Sequence, residues 1–297
     1  MRRMILGTDW WTDCDDAVAV RLLARAHKAR EVEIIGIGIN ACMQYSVASL
    51  KGFLRSEGVE RVPIGIDREA TDFGTWGSKF LYQQHLAESF CPDGTNEEAE
   101  DAVRLYRRLL AESDGGVEIL EIGFLQVIAA VLESTADDIS PLDGVELFRK
   151  KVAKVWVMAG KWDGDGETEH NFCNNDRSRR GGEAFCRLCP VPVTFLGWEV
   201  GFDVITGGEL AENDPLHRVL VDHGSANGRC SWDPMLVLMA LIGDEEAAGY
   251  RTVRGRAAVE IDSGANHFAR DLAGLHAYVV RTRASDDYKN EINRRIG

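Results

Sequence analysis

The apolar positions of this chain fall into short, nearly continuous runs separated by stretches of helical period. Met4-Ile5-Leu6 is the first run, and Val32, Ile34, Ile35, Ile37 and Ile39 form a second between Glu31 and Ile39. Near-continuous runs of this kind suit strands covered on both faces, as in a parallel sheet. Shorter runs follow at Arg61–Ile66, Val117–Ile122, Ala153–Met158 and Val191–Leu196. Between them the period changes to that of amphipathic helices: from Ala17 onward, Ser46–Arg55, Glu97–Glu112, Gln126–Ser134, Arg177–Leu188 and Pro234–Ile242. Ala257–Ile261 and His276–Arg281 read as late strands, an antiparallel extension of the sheet. Thr71 to Asn96 is polar, aromatic and without period, which predicts an irregular lid or binding loop. The βαβ alternation predicts an α/β fold: a single doubly wound, mostly parallel open sheet flanked by helices. No linker or repeat interrupts it, so residues 1–297 are expected to form one domain.

The most unusual stretch joins the first run to the first helix: Asp9-Trp10-Trp11-Thr12-Asp13-Cys14-Asp15-Asp16, four carboxylates within eight residues. Anions this close repel, and partial burial sharpens the repulsion. Helix capping accounts for one or two of them. Two readings stay open: a solvated loop with its charges splayed, or a loop drawn together by a cation. A hard cation such as Ca²⁺ or Mg²⁺ matches carboxylates without nearby histidines. Ligands of open α/β sheets bind beyond the carboxyl ends of the strands, where this loop falls. Two other Asp-loop chemistries fail on the residues. A phosphatase of the haloacid-dehalogenase type needs Asp-x-Asp-x-Thr, which Gly7 or Trp11 breaks in either register. An EF-hand loop starting at Asp13 needs Gly and Glu where Val18 and Ala24 stand.

Composition narrows the function classes. A net charge of −14 argues against a nucleic-acid partner and against an anionic membrane surface. Met1-Arg2-Arg3-Met4 has no signal-peptide architecture and no apolar run reaches spanning length, so a cytoplasmic protein is expected. The seven cysteines are scattered, and Cys186-x-x-Cys189 has no answering Cys or His pair, so reduced thiols are expected.

The Asp-rich loop, ending in Asp15-Asp16-Ala17-Val18-Ala19, resembles the N-terminal signature of the inosine–uridine-preferring nucleoside hydrolases in its longer form. Further segments are similar in the same order: Ile122-Gly123-Phe124-Leu125-Gln126-Val127, Val157-Met158-Ala159-Gly160, Glu169-His170-Asn171-Phe172, Pro192 to Gly201, and Ser231-Trp232-Asp233-Pro234. Departures are Gly7, where the family has an Asp, and Val127, where it has Asn. The resemblance implies Ca²⁺-dependent cleavage of an N-glycosidic bond to free base and ribose, through an oxocarbenium-like sugar. It implies Asp9 as metal ligand and general base, with Asp16, Asp233 and the backbone carbonyl of Gln126 completing the metal shell. Asp15 and Asn171 would hold the ribose hydroxyls, and Glu169 would lie near the 5′-hydroxyl. Met158 and Asn40, at strand ends, are expected to reach the sugar. Asp13 is an extra carboxylate of unassigned role.

Trp232 stands where some members carry a proton-donating His. A Trp in this place resembles the purine-preferring members, which implies base stacking and a purine preference, with Trp76, Trp10 or Trp11 as the opposing face; packing alone is the competing reading for these tryptophans. Two readings stay open for His170, a residue at the site or a half-exposed loop residue, and His267 lies near a polar turn expected to border the pocket. The resemblance further implies a homodimer or homotetramer acting on a small-molecule nucleoside. Two other functions are carried alongside: a non-hydrolytic nucleoside- or sugar-binding protein on the same fold, and a hydrolase of a modified N-riboside.

Overall fold

The computed structural model describes residues 1–73 and 81–297. Its strands, in chain order, are β1 (Arg2–Thr8), β2 (Val32–Ile39), β3 (Ile64–Ile66), β4 (Glu100–Asp101), β5 (Val117–Glu121), β6 (Val152–Met158), β7 (Glu167–Thr168), β8 (Val193–Leu196), β9 (Ile205–Thr206), β10 (Arg229–Cys230), β11 (Tyr250–Val259), β12 (Ala265–Arg270) and β13 (His276–Arg281). Eleven of them make one sheet in the order β4-β3-β2-β1-β5-β6-β8-β13-β11-β12-β7, while β9 and β10 pair apart from it. From β4 to β13 every pairing is parallel; β11, β12 and β7 then add antiparallel strands. The doubly wound architecture read from the apolar pattern is therefore the observed one.

Alternation along β1 shows how the sheet is covered. Met4 and Leu6 pack into one apolar cluster, with the helices Asp15–Lys28 and Trp232–Ile242. Ile5 points into the other, with the helices Ala102–Glu112, Gln126–Glu133 and Asp176–Leu188. Successive strands leave β1 on one side through β2, and β5 returns on its other side. That reversal makes a topological switch point, and the crevice it opens lies beyond the carboxyl ends of β1 and β5.

The structure differs from the expected elements in several places. The described part of the Thr71–Asn96 stretch contains a helix, Leu81–Phe90, whose Tyr82 hydroxyl donates to the Trp11 carbonyl at 2.8 Å. The helix expected from Glu97 begins at Ala102, where Asp101 caps it by accepting from the Arg104 amide at 3.0 Å. Helices Gly144–Lys151, Pro215–His223 and Ser285–Ile296, and strand β12, lie in segments whose polar content hides their period. Cys186 and Cys189 are buried free thiols, and burial pushes Cys189 up to about 12. Among the described residues no helix is long and apolar enough to cross a membrane.

Candidate active site

The loop after β1 is held in a demanding conformation. Trp10 has φ +42°, in the left-handed region that non-glycine residues rarely enter. Its surroundings fix it there: the indole is fully buried against Phe53 and Tyr82, and its Nε1 donates to Ser49 Oγ at 2.8 Å. Its amide donates to Thr8 Oγ1 (3.1 Å) and Asp16 Oδ1 (3.3 Å), and its carbonyl accepts from Gln83 Nε2. Trp10 is thus a core residue that sets the loop's path, not a wall of the site. On the neighbouring strand end, a Cβ at Gly123 would overlap the Asp9 backbone, so only glycine lets the two turns approach this closely.

Two helix N-termini converge on this loop. Asp15 and Asp16 open the helix Asp15–Lys28, and Asp233 lies in the first turn of Trp232–Ile242. The Asp233 amide donates to Asp15 Oδ2 at 3.2 Å, which joins the two helix starts. Oxygens of Asp15, Asp16 and Asp233 lie within 4.8 Å of one another, and all three side chains are buried. Burial, then the neighbouring aspartates, pushes each of these carboxyls well above the usual range. Asp9 bonds to Asp16, and burial together with Asp15 and Asp13 raises it to about 7. Thr8 Oγ1 donates to Asp16 Oδ1. Among the described residues no Lys, Arg or His forms a salt bridge with Asp9, Asp15, Asp16 or Asp233. Converging buried carboxylates without a basic partner fit a hard divalent cation held by oxygen.

The cavity above this floor has a volume of about 310 Å³ and is lined by Asp9, Asp13, Asp15, Asp16, Asp233, Trp11, Thr12, Ile122, Met158, Glu169, His170, Asn171, Trp198, His223, Arg229 and Trp232. One wall comes from the end of β6 and the turn after β7. Asn171 Nδ2 donates to the Met158 carbonyl at 2.8 Å, and Glu169 Oε2 accepts from the Gly160 amide at 2.8 Å and the Asn171 amide at 3.0 Å. Burial raises the Glu169 carboxyl to about 7. His170 stacks on Trp11, ring centroids 5.9 Å apart at 18°, and burial lowers its basicity.

A second wall is aromatic and cationic. Trp232 Nε1 donates to the Trp198 carbonyl at 2.8 Å, and Trp198 in turn stacks on Phe202 at 5.0 Å. Arg229 pairs with Asp13 through Nε (2.8 Å) and Nη2. Burial pushes Asp13 up, but Arg229 outweighs it and holds the carboxyl below the usual range. Asp13 is therefore the anchor of an arginine at the cavity wall.

Asp9, Asp15, Asp16, Asp233, Met158, Glu169, Asn171 and Trp232, all expected at the site, line one cavity. Asp15, expected at the ribose, also belongs to the tight carboxylate triplet. Gln126 requires a correction. It is the first residue of the helix Gln126–Glu133, so its carbonyl points along that helix, and it lines a different hollow with Asp67 and Arg177. The residue of this turn that reaches the aspartate cavity is Ile122, at the end of β5. Asn40 is buried beside the same turn and is not among the residues that line the cavity; its Oδ1 accepts from the Phe124 amide at 3.1 Å. Its carbonyl accepts from Gln126 Nε2. Trp76 lies outside the described residues. His267 bonds to Asp165 and Glu260 and does not line the cavity. Sequence reasoning missed Thr12, Ile122, Trp198, His223 and Arg229 as lining residues. Ile122 and Trp198 follow strand ends, the one signal that pointed to them.

No protein-family model and no curated protein matches this sequence. Solved structures do. A purine-preferring ribonucleoside hydrolase from Gardnerella vaginalis superposes with a TM-score of 0.73 at 17% identity, covering 99% of this chain and 98% of that one. An inosine–uridine-preferring nucleoside hydrolase from Bacillus anthracis gives 0.69 at 14% identity, with 99% and 100% covered. The fold is that of the nucleoside hydrolases. The same nucleoside hydrolase fold is shared by the type III effector XopQ, solved with adenosine diphosphate ribose, at a TM-score of 0.70, 13% identity and 99% and 93% coverage.

Proposed function

We propose that this protein hydrolyses the N-glycosidic bond of ribonucleosides to free base and ribose, with a divalent cation, Ca²⁺, held by Asp9, Asp16, Asp233 and Asp15. The observation that carries the reading is the buried carboxylate cluster at the floor of a nucleoside-sized cavity. A cation bound there would supply Lewis acidity and make a neighbouring water easier to deprotonate.

The chain's own groups account for the rest. Asp9, kept ionised beside the cation, takes the proton from the attacking water. Asp15 and Asn171 hold ribose hydroxyls, and the fixed Glu169 carboxyl accepts from the 5′-hydroxyl. Anionic oxygens beneath the sugar stabilise the positive charge that develops on it as the bond breaks. The indoles of Trp232 and Trp198 offer flat apolar faces to the departing base, which supports a purine preference.

The test is incubation with inosine, adenosine, guanosine, uridine and cytidine, with Ca²⁺ or with chelator, following base and ribose by chromatography. Chelator-sensitive release that disappears in Asp9→Ala is the expected result. Release from pyrimidines alone would remove the stacking argument. Binding without release would make the chain a nucleoside- or sugar-binding protein. Light scattering tests the homodimer or homotetramer that the resemblance implies, and fractionation of the native cell tests cytoplasmic residence.

A further inference from the structure

Trp232 serves the hydrolysis proposed above as a stacking face, whereas the Asp13–Arg229 pair beside it takes no part in that chemistry, yet it is built with care. A guanidinium carries five donors in a planar fork. Asp13 Oδ1 accepts from Arg229 Nε at 2.8 Å and Oδ2 from Nη2. Asp13 is itself held by the Cys14 amide at 2.7 Å. This side-on pairing leaves the end-on fork, Nη1 and the second hydrogen of Nη2. Among the described residues, neither hydrogen bonds nor salt bridges engage Nη1. The guanidinium carbon lies 5.3 Å from the centroid of the Trp232 ring, whose position the Trp198 carbonyl fixes. Arg229 and Trp232 both line the cavity.

An immobilised fork of donors beside an indole face selects its ligand. It needs two neighbouring acceptors in the plane of an aromatic ring. The O6 and N7 of a 6-oxopurine are such a pair, and arginine reads the same edge of guanine in DNA. Adenine offers N7 but places an amino donor where O6 would be, against the guanidinium. Pyrimidines lack the N7–O6 pair. A phosphate would also satisfy the fork, but it gains nothing from the indole, whereas a purine lying on that face carries its acceptor edge to Arg229.

We propose that Arg229, anchored by Asp13 and laid along Trp232, is the specificity-determining residue of the site and selects nucleosides of 6-oxopurines, inosine and guanosine, over adenosine. The assignment rests on the hydrolase reading for its natural substrate, but its recognition chemistry stands apart from the bond cleavage.

The test compares the protein with Arg229→Gln and Arg229→Lys, after thermal unfolding shows that the variants fold. Specificity constants are measured for inosine, guanosine, adenosine, uridine and inosine 5′-monophosphate. The parent is expected to prefer inosine and guanosine. In Arg229→Gln the constants for these two fall about tenfold to a hundredfold further than that for adenosine, the discrimination of one bidentate contact. Lysine keeps the charge without the fork and restores little of the ratio. Equal losses for all nucleosides, or a parent without oxopurine preference, would overturn the assignment. So would a preference for the monophosphate that vanishes in Arg229→Gln, since the fork would then read phosphate. Should the parent cleave no nucleoside, the hydrolase reading fails, and calorimetric binding of inosine and adenosine decides Arg229 separately. Loss confined to inosine supports the assignment, and equal loss sinks it.

Discussion

Metal-free protein should lose stability as the pH rises through neutrality, and Ca²⁺ should restore it. Asp9 is buried, and its carboxyl is raised from 3.8 to about 7. A group whose folded pKa is raised binds more protons folded than unfolded between those two values, so its contribution is complete below pH 3.8 and is lost as the pH climbs through 7. At about 1.4 kcal/mol per pH unit, the loss between pH 5 and pH 8 is about 3 kcal/mol for Asp9 alone. For a chain of this size each kcal/mol moves Tm by about 2 °C, so roughly 5 °C is at stake. Asp15, Asp16 and Asp233 are shifted in the same direction. A cation favours the ionised carboxylates and so stabilises more at pH 8 than at pH 5. The assay is scanning calorimetry at both pH values, in chelator and in millimolar Ca²⁺, on the parent and on Asp9→Asn. The variant should flatten the metal-free pH dependence. An unchanged slope in Asp9→Asn, or a Ca²⁺ increment equal at the two pH values, would refute the reasoning.

Other perturbations have defined outcomes. Asp9→Ala should lower kcat by about 10²- to 10⁴-fold, the span of a lost general base, in steady-state assays with saturating Ca²⁺. Asp233→Ala removes one of three converging carboxylates, and isothermal titration should show Ca²⁺ affinity reduced at least tenfold. Arg21 is 2% exposed and pairs with Glu57 and Asp214, so Arg21→Ala strands two partners and should cost about 3–5 kcal/mol in urea unfolding. A Cβ at Gly7 would overlap the Glu121 carboxylate, so Gly7→Ala should cost about 1–3 kcal/mol, and Glu121→Ala in the same chain should recover most of it.

The parallel half of the sheet and the carboxylate floor were legible because their signals are local. Buried parallel strands need unbroken apolar runs, and three of the floor's aspartates sit within eight residues, Asp9 to Asp16. The second wall was not legible. Arg229 sits in a two-residue strand and His223 at the end of a nine-residue helix, and neither segment carries a motif. The turn after β5 was read one helical turn too late: Gln126 took the place that Ile122 occupies, because a motif match does not say where the helix begins. Gly7 taught a related lesson. From the sequence it is the loss of a carboxylate beside the site. In the sheet Gly7 pairs with Glu121, which fills the vacated space and accepts from the Tyr106 hydroxyl at 3.0 Å. Only strand register makes that exchange visible.

The bond between the Asp233 amide and Asp15 spans 218 positions of the chain. A nascent chain emerging from the ribosome carries Asp9, Asp13, Asp15 and Asp16 long before the helix Trp232–Ile242 is synthesised, and until that helix docks the floor lacks its third wall of oxygen. On the proposal that this floor holds a cation, tight capture would be a late event of biogenesis, a seal set on a chain whose two distant parts have already met. Proteolytic loss of the segment from Trp232 onward should release the ion before the parallel strands at the amino-terminal side come apart.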